Sequence, residues 1–478
     1  MKMWGGRFRQ AVDPEFERWQ SSFDFDRRLL SYELAASGAH ARALKNAGIV
    51  ASEELIAILQ GLEQIAAAAA SSPNFLQDEE AEDVHHFVQK RLAALIGEVA
   101  YKLHSGRSRN EQIATDLRLY VRAGIDQMQN DLAAWLDVLL ERAEQAENAV
   151  MPAYTHLQRA EPVLVAHYLL AYVEMFLRDS ERLTDCRKRL NLCPLGSGAV
   201  AGATITLDRH ALAAELGFSG PTANSIDATS DRDFVLEFVH ALSLIGLHLS
   251  RWAEEMILFS SEEFGFVQLP EAYSTGSSAM PQKKNPDLLE LARGKVARVI
   301  GAANTLMIVI KGLPLAYNKD LQETQEPLFD AVATISGLLP LVSAWMKAAE
   351  FKYGRMRDAA EAGFMNAWAA ATYLVNRGVP SRLAHEKIGK AVQMCLERNC
   401  ELKDLPSADL QALTPAFDQG FCASLSLPSV LAIHDVPGGT APARVRQAIG
   451  AARKKIEALH EEAWTYLGVT ASSPSRGG

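Results

Sequence analysis

Apolar residues recur along this chain at three- and four-residue intervals, the period that lines one face of an α-helix. The clearest run lies within 227–263, where Phe234, Phe238, Leu242, Ile245, Leu249, Trp252 and Met256 keep that spacing. The same pattern predicts helices over 14–46, with Leu29, Leu30, Leu34 and Ala35 on the buried face, and over 52–70 and 79–96. Ser52 with Glu54 reads as the cap of the second, and the acidic run 78–83 suits the positive end of the third. Long helices follow from 112 to about 148, over 163–190 and over 287–311, with a last apolar segment ending near Lys347. Shorter helices are expected over 366–376 and 380–398, then a closing helix with Thr440 as cap and Pro442 early, running to Gly468. No strand-rich region or internal repeat interrupts this pattern. It predicts an all-α, mostly helical protein in three domains: 1–105 helical, 106–350 a bundle of long helices, and 351–478 smaller, with a disordered tail.

Polar chemistry concentrates in the connections. The segment 273–286, YSTGSSAMPQKKNP, contains Pro281 and Pro286 and reads as a loop. Backbone N–H groups near Gly276 and Ser277 are free there to face an anion, and Lys283, Lys284 and Asn285 add charge and donors. The segment 103–112, LHSGRSRNEQ, puts Arg107 and Arg109 around a Gly106 turn at a helix start, a natural carboxylate site. After Pro152, AYTHLQRAEPV carries Thr155 and His156 in what reads as a polar turn between helices, where an imidazole can move protons. DATSDRDF sets Arg232 between two aspartates, and Tyr317, Lys319, Gln322 and Gln325 form a polar connector over 313–327. The glycine-rich stretch 192–209 lacks both GxGxxG before a helix and GKS or GKT, so it offers no recognised phosphate cradle.

Composition removes several function classes. With 58 acidic and 48 basic residues the net charge is -10, which opposes nucleic-acid binding, and no basic stripe with interleaved aromatics appears. Five cysteines show neither CxxC nor zinc spacing, so they are expected to be reduced packing residues of a cytoplasmic protein, with no metal. The amino terminus has no apolar core for a signal peptide. The uncharged runs 191–207 and 331–346 contain Gly or Pro breaks, so no membrane span is expected.

HSGRSRNEQ, THLQRAEP and GSSAMPQKKNP resemble the three separated signature regions of the aspartase/fumarase superfamily. The chain from WGGRF to VPGGTAP resembles the argininosuccinate lyases within it, through MWGGRF, GRSRN, YSTGSS, KKNPD and YNKDLQE. The resemblance implies a cytoplasmic homotetramer whose central helices form a twenty-helix core, with four active sites each assembled from three chains. It also implies cleavage of argininosuccinate to arginine and fumarate in arginine biosynthesis, without a cofactor, and with no partner but substrate and other copies of the chain.

By matching position, Ser277, His156 and Lys283 are the implied catalytic residues. Ser22, Arg109, Asn110, Thr155, Arg232, Ser278, Asn285, Tyr317, Gln322 and Gln325 are the implied substrate contacts. Which of Ser277 and His156 is base and which acid stays open. Two positions depart from the usual pattern: Glu111 stands where the family has Asp, and Gln325 where it commonly has a substrate-contacting Lys. A sister lyase on another fumaryl or succinyl adduct, or a silent structural protein on the same scaffold, are the alternatives.

Overall fold

The computed structural model describes residues 10–470; the MWGGRF motif and the terminal tail lie outside them. Helices α1 (Leu30–Asn46), α2 (Ser52–Ser71) and α3 (Val84–Ile96) precede the central set. That set is α4 (Arg109–Gln145), α5 (Val165–Leu190), α6 (Asp233–Ser260), α7 (Asp287–Ile310) and α8 (Gln325–Ala348). Then come α9 (Ala367–Val375), α10 (Ser381–Arg398) and α11 (Pro442–Thr470). The apolar periodicity becomes the core: Trp135 of α4, Trp252 of α6 and Trp345 of α8 are fully buried. Their rings meet edge-on, with centroids 5.1 Å apart at 79° for the first pair and 5.3 Å at 88° for the second. Helices α6 and α7 come close where Gly246 faces Val296; a Cβ on Gly246 would lie 3.1 Å from that valine's methyls.

Several expectations change in detail. The helix expected over 14–46 breaks into Pro14–Gln20, a short turn Phe23–Asp26 and α1, because the chain bends at Ser21 and Ser22 to bond the backbone of Glu82. The helix expected over 227–263 splits at Asp231 and Arg232, where the Asp231 carboxylate accepts from Asp233 N at 2.7 Å and starts α6 afresh. Helix α2 begins at Ser52 with Ala51 as its cap residue, its N–H held by the Glu54 carboxylate. Thr440 is not a cap; its hydroxyl accepts from Leu164 N at 2.9 Å and pins the start of α11 to the centre of the molecule. Helix α11 then runs back along α4, pairing His460 with Asp137 and Arg453 with Glu144.

Helix α8 continues through Gly337 and Pro340, which were expected to break it. A proline at that point removes the donor for the Ser336 carbonyl and crowds that carbonyl with its ring, costs that packing around Trp345 offsets. By length and composition α6 and the segment Lys319–Ala348 are apolar enough to cross a membrane; here the tryptophan core accounts for that character on one side of each. Cys186, Cys193 and Cys395 are buried as expected of packing residues, whereas Cys422 is exposed.

The polar turn expected around His156 is a β-hairpin instead, β1 (Val150–Thr155) paired antiparallel with β2 (Gln158–Leu164). Two shorter ribbons join β3 (Val267–Gln268) to β6 (Glu350–Phe351) and β4 (Thr275–Gly276) to β5 (Lys284–Asn285).

Candidate active site

The bend at Ser22 gathers the first group of site residues. Ser22 N donates to the Glu82 carbonyl at 2.8 Å, and its hydroxyl donates to Asp26 at 2.6 Å. Gln322 donates to the Gln20 carbonyl at 3.2 Å, tying the connector before α8 to the same bend. Asp83 caps α3, accepting from His86 N at 2.7 Å, and also pairs with the Arg109 guanidinium at 2.9 Å. Glu82 lies 3.4 Å from Arg109 and 3.9 Å from Lys319.

Arg232 completes this group. Its side chain is among the largest fully buried ones in the protein, and its Nη1 donates to the Asp231 carbonyl at 2.7 Å. Among the described residues its Nε and Nη2 have no hydrogen-bond partner. Burial pulls its pKa down to about 10 even with Tyr317 and Asp231 opposing that shift, so the guanidinium stays charged at neutral pH. Tyr317 stands within electrostatic reach of Arg232, Asp83, Glu82 and Arg109, and burial raises its hydroxyl's pKa. Two guanidinium groups and a phenol thus converge with Ser22 and Gln322, a set that can grip carboxylates.

The start of α4 explains Glu111. Ser108 is the cap, its hydroxyl accepting from Asn110 N, and one Glu111 oxygen accepts from Ser108 N at 3.0 Å. The other Glu111 oxygen accepts from Gly198 N at 3.0 Å, while Asn110 donates to the Ala199 carbonyl at 3.3 Å. The longer acid therefore bridges the helix start to the glycine-rich stretch, which packs against Asn110 and Glu111. Gly106 has φ +67°, and a Cβ there would also meet Ile205 at 3.1 Å, so this turn requires glycine.

His156 sits at the hairpin tip. Thr155 pairs with Gln158, and the two residues between them, His156 and Leu157, have φ of +55° and +56°. That is a two-residue turn in the left-handed region, built without the Gly or Asn that usually fills it. Such strain persists only where the surroundings impose it. The base is held by Arg159, which donates to the Ala359 carbonyl at 3.1 Å, and by Tyr154 packed against Phe264. Thr155 and His156 are left exposed.

The loop 273–286 is a ribbon with an exposed tip. Gly276 lies in β4, not in a turn, and Thr275 donates to Asp287 at the start of α7. Half-buried Asn285 faces Thr275 and the Gly276 carbonyl. The Ser277 hydroxyl accepts from Ala279 N at 3.3 Å and Met280 N at 3.0 Å. Ser278 and Lys283 are exposed, while Lys284 pairs with Glu271 at 2.7 Å and so is drawn away from the anion grip expected of it.

One chain therefore assembles Ser22, Arg109, Arg232, Tyr317 and Gln322, with Asn110 beside them, but presents Thr155 with His156, and Ser277 with Ser278, Lys283 and Asn285, as two further groups. Among the described residues no hydrogen bond or ion pair joins the three. Residues 6–301 match the lyase family, and residues 364–432 match the argininosuccinate lyase C-terminal family. The argininosuccinate lyase of Koribacter versatilis (strain Ellin345) is 59% identical over 461 residues, covering 96% of this chain and 99% of that one. That of Acidobacterium capsulatum is 55% identical over 460 residues, 95% of each. The chain belongs to the argininosuccinate lyase family. Among solved structures, EDDS lyase in complex with formate superposes with a TM-score of 0.84 at 26% identity, covering 95% of this chain and 92% of that one. A class II fumarase from Schistosoma mansoni shares the fold, with a TM-score of 0.72 at 15% identity, covering 85% and 91%.

The sequence motifs did not single out Asp26, Glu82 and Asp83, which hold Ser22 and Arg109 in place. The available signal was the acidic run 78–83 ending one residue before α3. Gln325 is buried at the start of α8, and its Oε1 has no hydrogen-bond partner among the described residues. Gln325→Lys is expected to lower the Michaelis constant for argininosuccinate in steady-state assays; an unchanged or higher value counts against a carboxylate contact at this position.

Proposed function

We propose that this protein is a cytoplasmic argininosuccinate lyase, cleaving argininosuccinate to arginine and fumarate by anti β-elimination without a cofactor. The carrying observation is that the three motif regions of the family are all present yet held apart in one chain, with Thr155, His156, Ser278 and Lys283 exposed. A base, Ser277 as alkoxide or His156, takes the proton from the carbon beside a carboxylate. The electron pair moves into that carboxylate, giving a dianionic intermediate, and then returns to form the double bond of fumarate as the C–N bond breaks. The departing guanidino nitrogen receives a proton from the other of the two. Lys283 and the loop amides around Ser277 and Ser278 stabilise the intermediate, and Arg109, Arg232, Tyr317 and Asn285 hold the carboxylates.

In this reading the site is completed by self-association. Helix α7 exposes Leu291, Ile300, Met307 and Ile308, and α8 exposes Leu341, an apolar face suited to other copies in a homotetramer. The division into domains 1–105, 106–350 and 351–478 belongs to the same proposal, the middle one supplying the shared bundle. Purified protein with argininosuccinate should release arginine and fumarate in equal amounts, and no turnover overturns the proposal. Co-expressing Ser277→Ala with His156→Asn should restore about a quarter of wild-type activity if the two groups come from different chains, since random assembly leaves both intact in that fraction of sites. No recovery above the single variants rules out a shared site. Gln325 and the likeness to EDDS lyase support a second reading, a sister lyase on another succinyl adduct; turnover of such an adduct in preference to argininosuccinate would establish it.

A further inference from the structure

Beneath Arg109 lies an enclosed group of ionisable side chains drawn from α1, α3 and α4. Asp116 is fully buried, and its Oδ2 lies 3.0 Å from His85 Nε2. Glu33, also buried, has Oε2 at 3.7 Å from the same nitrogen. The other ring nitrogen of His85 is 3.8 Å from Asp83 Oδ1, and the second Asp83 oxygen is the one that pairs with Arg109 at 2.9 Å. A continuous line of polar atoms thus runs from a buried acid to a cation of the candidate site.

The side chains of Glu33, His85 and Asp116 place ligand-type atoms within 4.8 Å of one another, spacing that a metal ion would also accept. The surroundings favour a network of protein charges. The remaining Glu33 oxygen accepts from Ser37 at 2.6 Å and Gln112 at 3.1 Å, and the Arg107 guanidinium lies 3.8 Å away. Arg107 and His85 thus already bring cations to the place where a metal would bring its charge. Burial acts to lower the His85 pKa, but Asp116, Asp83 and Glu33 outweigh it and keep the ring in its charged form.

We propose that Asp116 and His85 are positioning residues that hold Asp83, and through it the Arg109 guanidinium, in the orientation that receives a substrate carboxylate. The inference rests on the reading above in one respect, that Arg109 meets substrate. The anchoring is physically economical: one Asp83 oxygen, Oδ1, both caps α3 and faces His85, which leaves Oδ2 directed at Arg109. Without His85 the buried carboxylates would lose the cation between them, and Asp83, left with its cap bond at Oδ1, would be free to swing the oxygen that meets Arg109.

The test uses the full-length assembled enzyme with His85→Gln, Asp116→Asn, the double variant, and Asp116→Glu as the conservative replacement. Thermal melting and gel filtration identify the variants that fold and assemble. The expected result is a rise of about tenfold or more in the Michaelis constant for argininosuccinate, with the inhibition constant of succinate rising in parallel and kcat changing by less than about threefold. The double variant should resemble His85→Gln, because the line is already cut, and Asp116→Glu should recover most of the loss. If His85→Gln alone does not fold, the double variant, which removes both charges together, gives the same reading. A folded variant with unchanged Michaelis and succinate constants, or a fall confined to kcat, overturns the inference. If the wild-type protein fails to cleave argininosuccinate, the proposed function falls, whereas weaker calorimetric binding of succinate by His85→Gln than by wild type would still support the relay.

Discussion

Ser277→Ala is expected to lower kcat for argininosuccinate by about a thousandfold or more while leaving the melting temperature unchanged. The two halves of that expectation come from one geometry. Ser277 sits at the tip of the β4–β5 ribbon, where its hydroxyl accepts from the amides of Ala279 and Met280. In a solvent-accessible turn such bonds contribute only about 1 kcal/mol, because water replaces them when they are lost. A residue with so little structural weight shows a large kinetic effect only by taking part in chemistry. Steady-state assays beside calorimetry separate the outcomes. A fall of less than about tenfold would transfer proton abstraction to His156, and a large fall in melting temperature would make the serine a structural residue. The exposed tip also suits a segment that closes over substrate and excludes water, which is where N–H groups and a lysine stabilise a dianion most strongly.

How much of this was legible in the sequence varies with the physical origin of each feature. The helices α7 and α10 follow directly from apolar spacing, because long amphipathic segments have few alternatives. The hairpin around His156 did not announce itself. A tight two-residue turn is usually signalled by Gly or Asn, and here the left-handed positions hold His156 and Leu157. The bend at Ser22 was hidden for a different reason: helical periodicity continues on either side, and the bonds that hold the break come from Glu82 and Gln322, far along the chain. The motif residues were found by resemblance, but their supports were not. Asp26 and Val84 are 58 positions apart, and their contact exists only after folding. The grouping of Arg232 with Tyr317 depends on the break before α6, which Asp231 marks locally as a capping residue, but the grouping itself exists only after folding.

Asp26→Asn is expected to stabilise the protein at neutral pH, by an increment that is absent near pH 4 and grows as the pH rises toward 7. Burial, followed by repulsion from Asp83, pushes the Asp26 pKa up to about 7 against the favourable bonds from Ser22 and Val84 N. In the unfolded chain the same group ionises near its ordinary value of 3.8. Between those two values the folded state holds a proton that the unfolded state has released. Rising pH therefore favours unfolding across this window, and the full cost is reached above pH 7. A shift of this size corresponds to about 4 kcal/mol, an upper figure that relaxation around the site will reduce. Asparagine is close in shape, can still accept from Val84 N and can meet the Ser22 hydroxyl, but carries no charge to bury. The melting temperatures of the two proteins, followed from pH 4 to 8 in matched buffers, should coincide at the acidic end and separate steadily above it. His85, whose pKa is also raised, has linkage of the same sign in a higher window that begins at its ordinary value of 6.5, and because it is common to both proteins it does not produce this separation. A difference that stays constant with pH, or that favours aspartate at pH 7, would mean that Asp26 is ionised in the folded protein and that Ser22 is held by a full carboxylate.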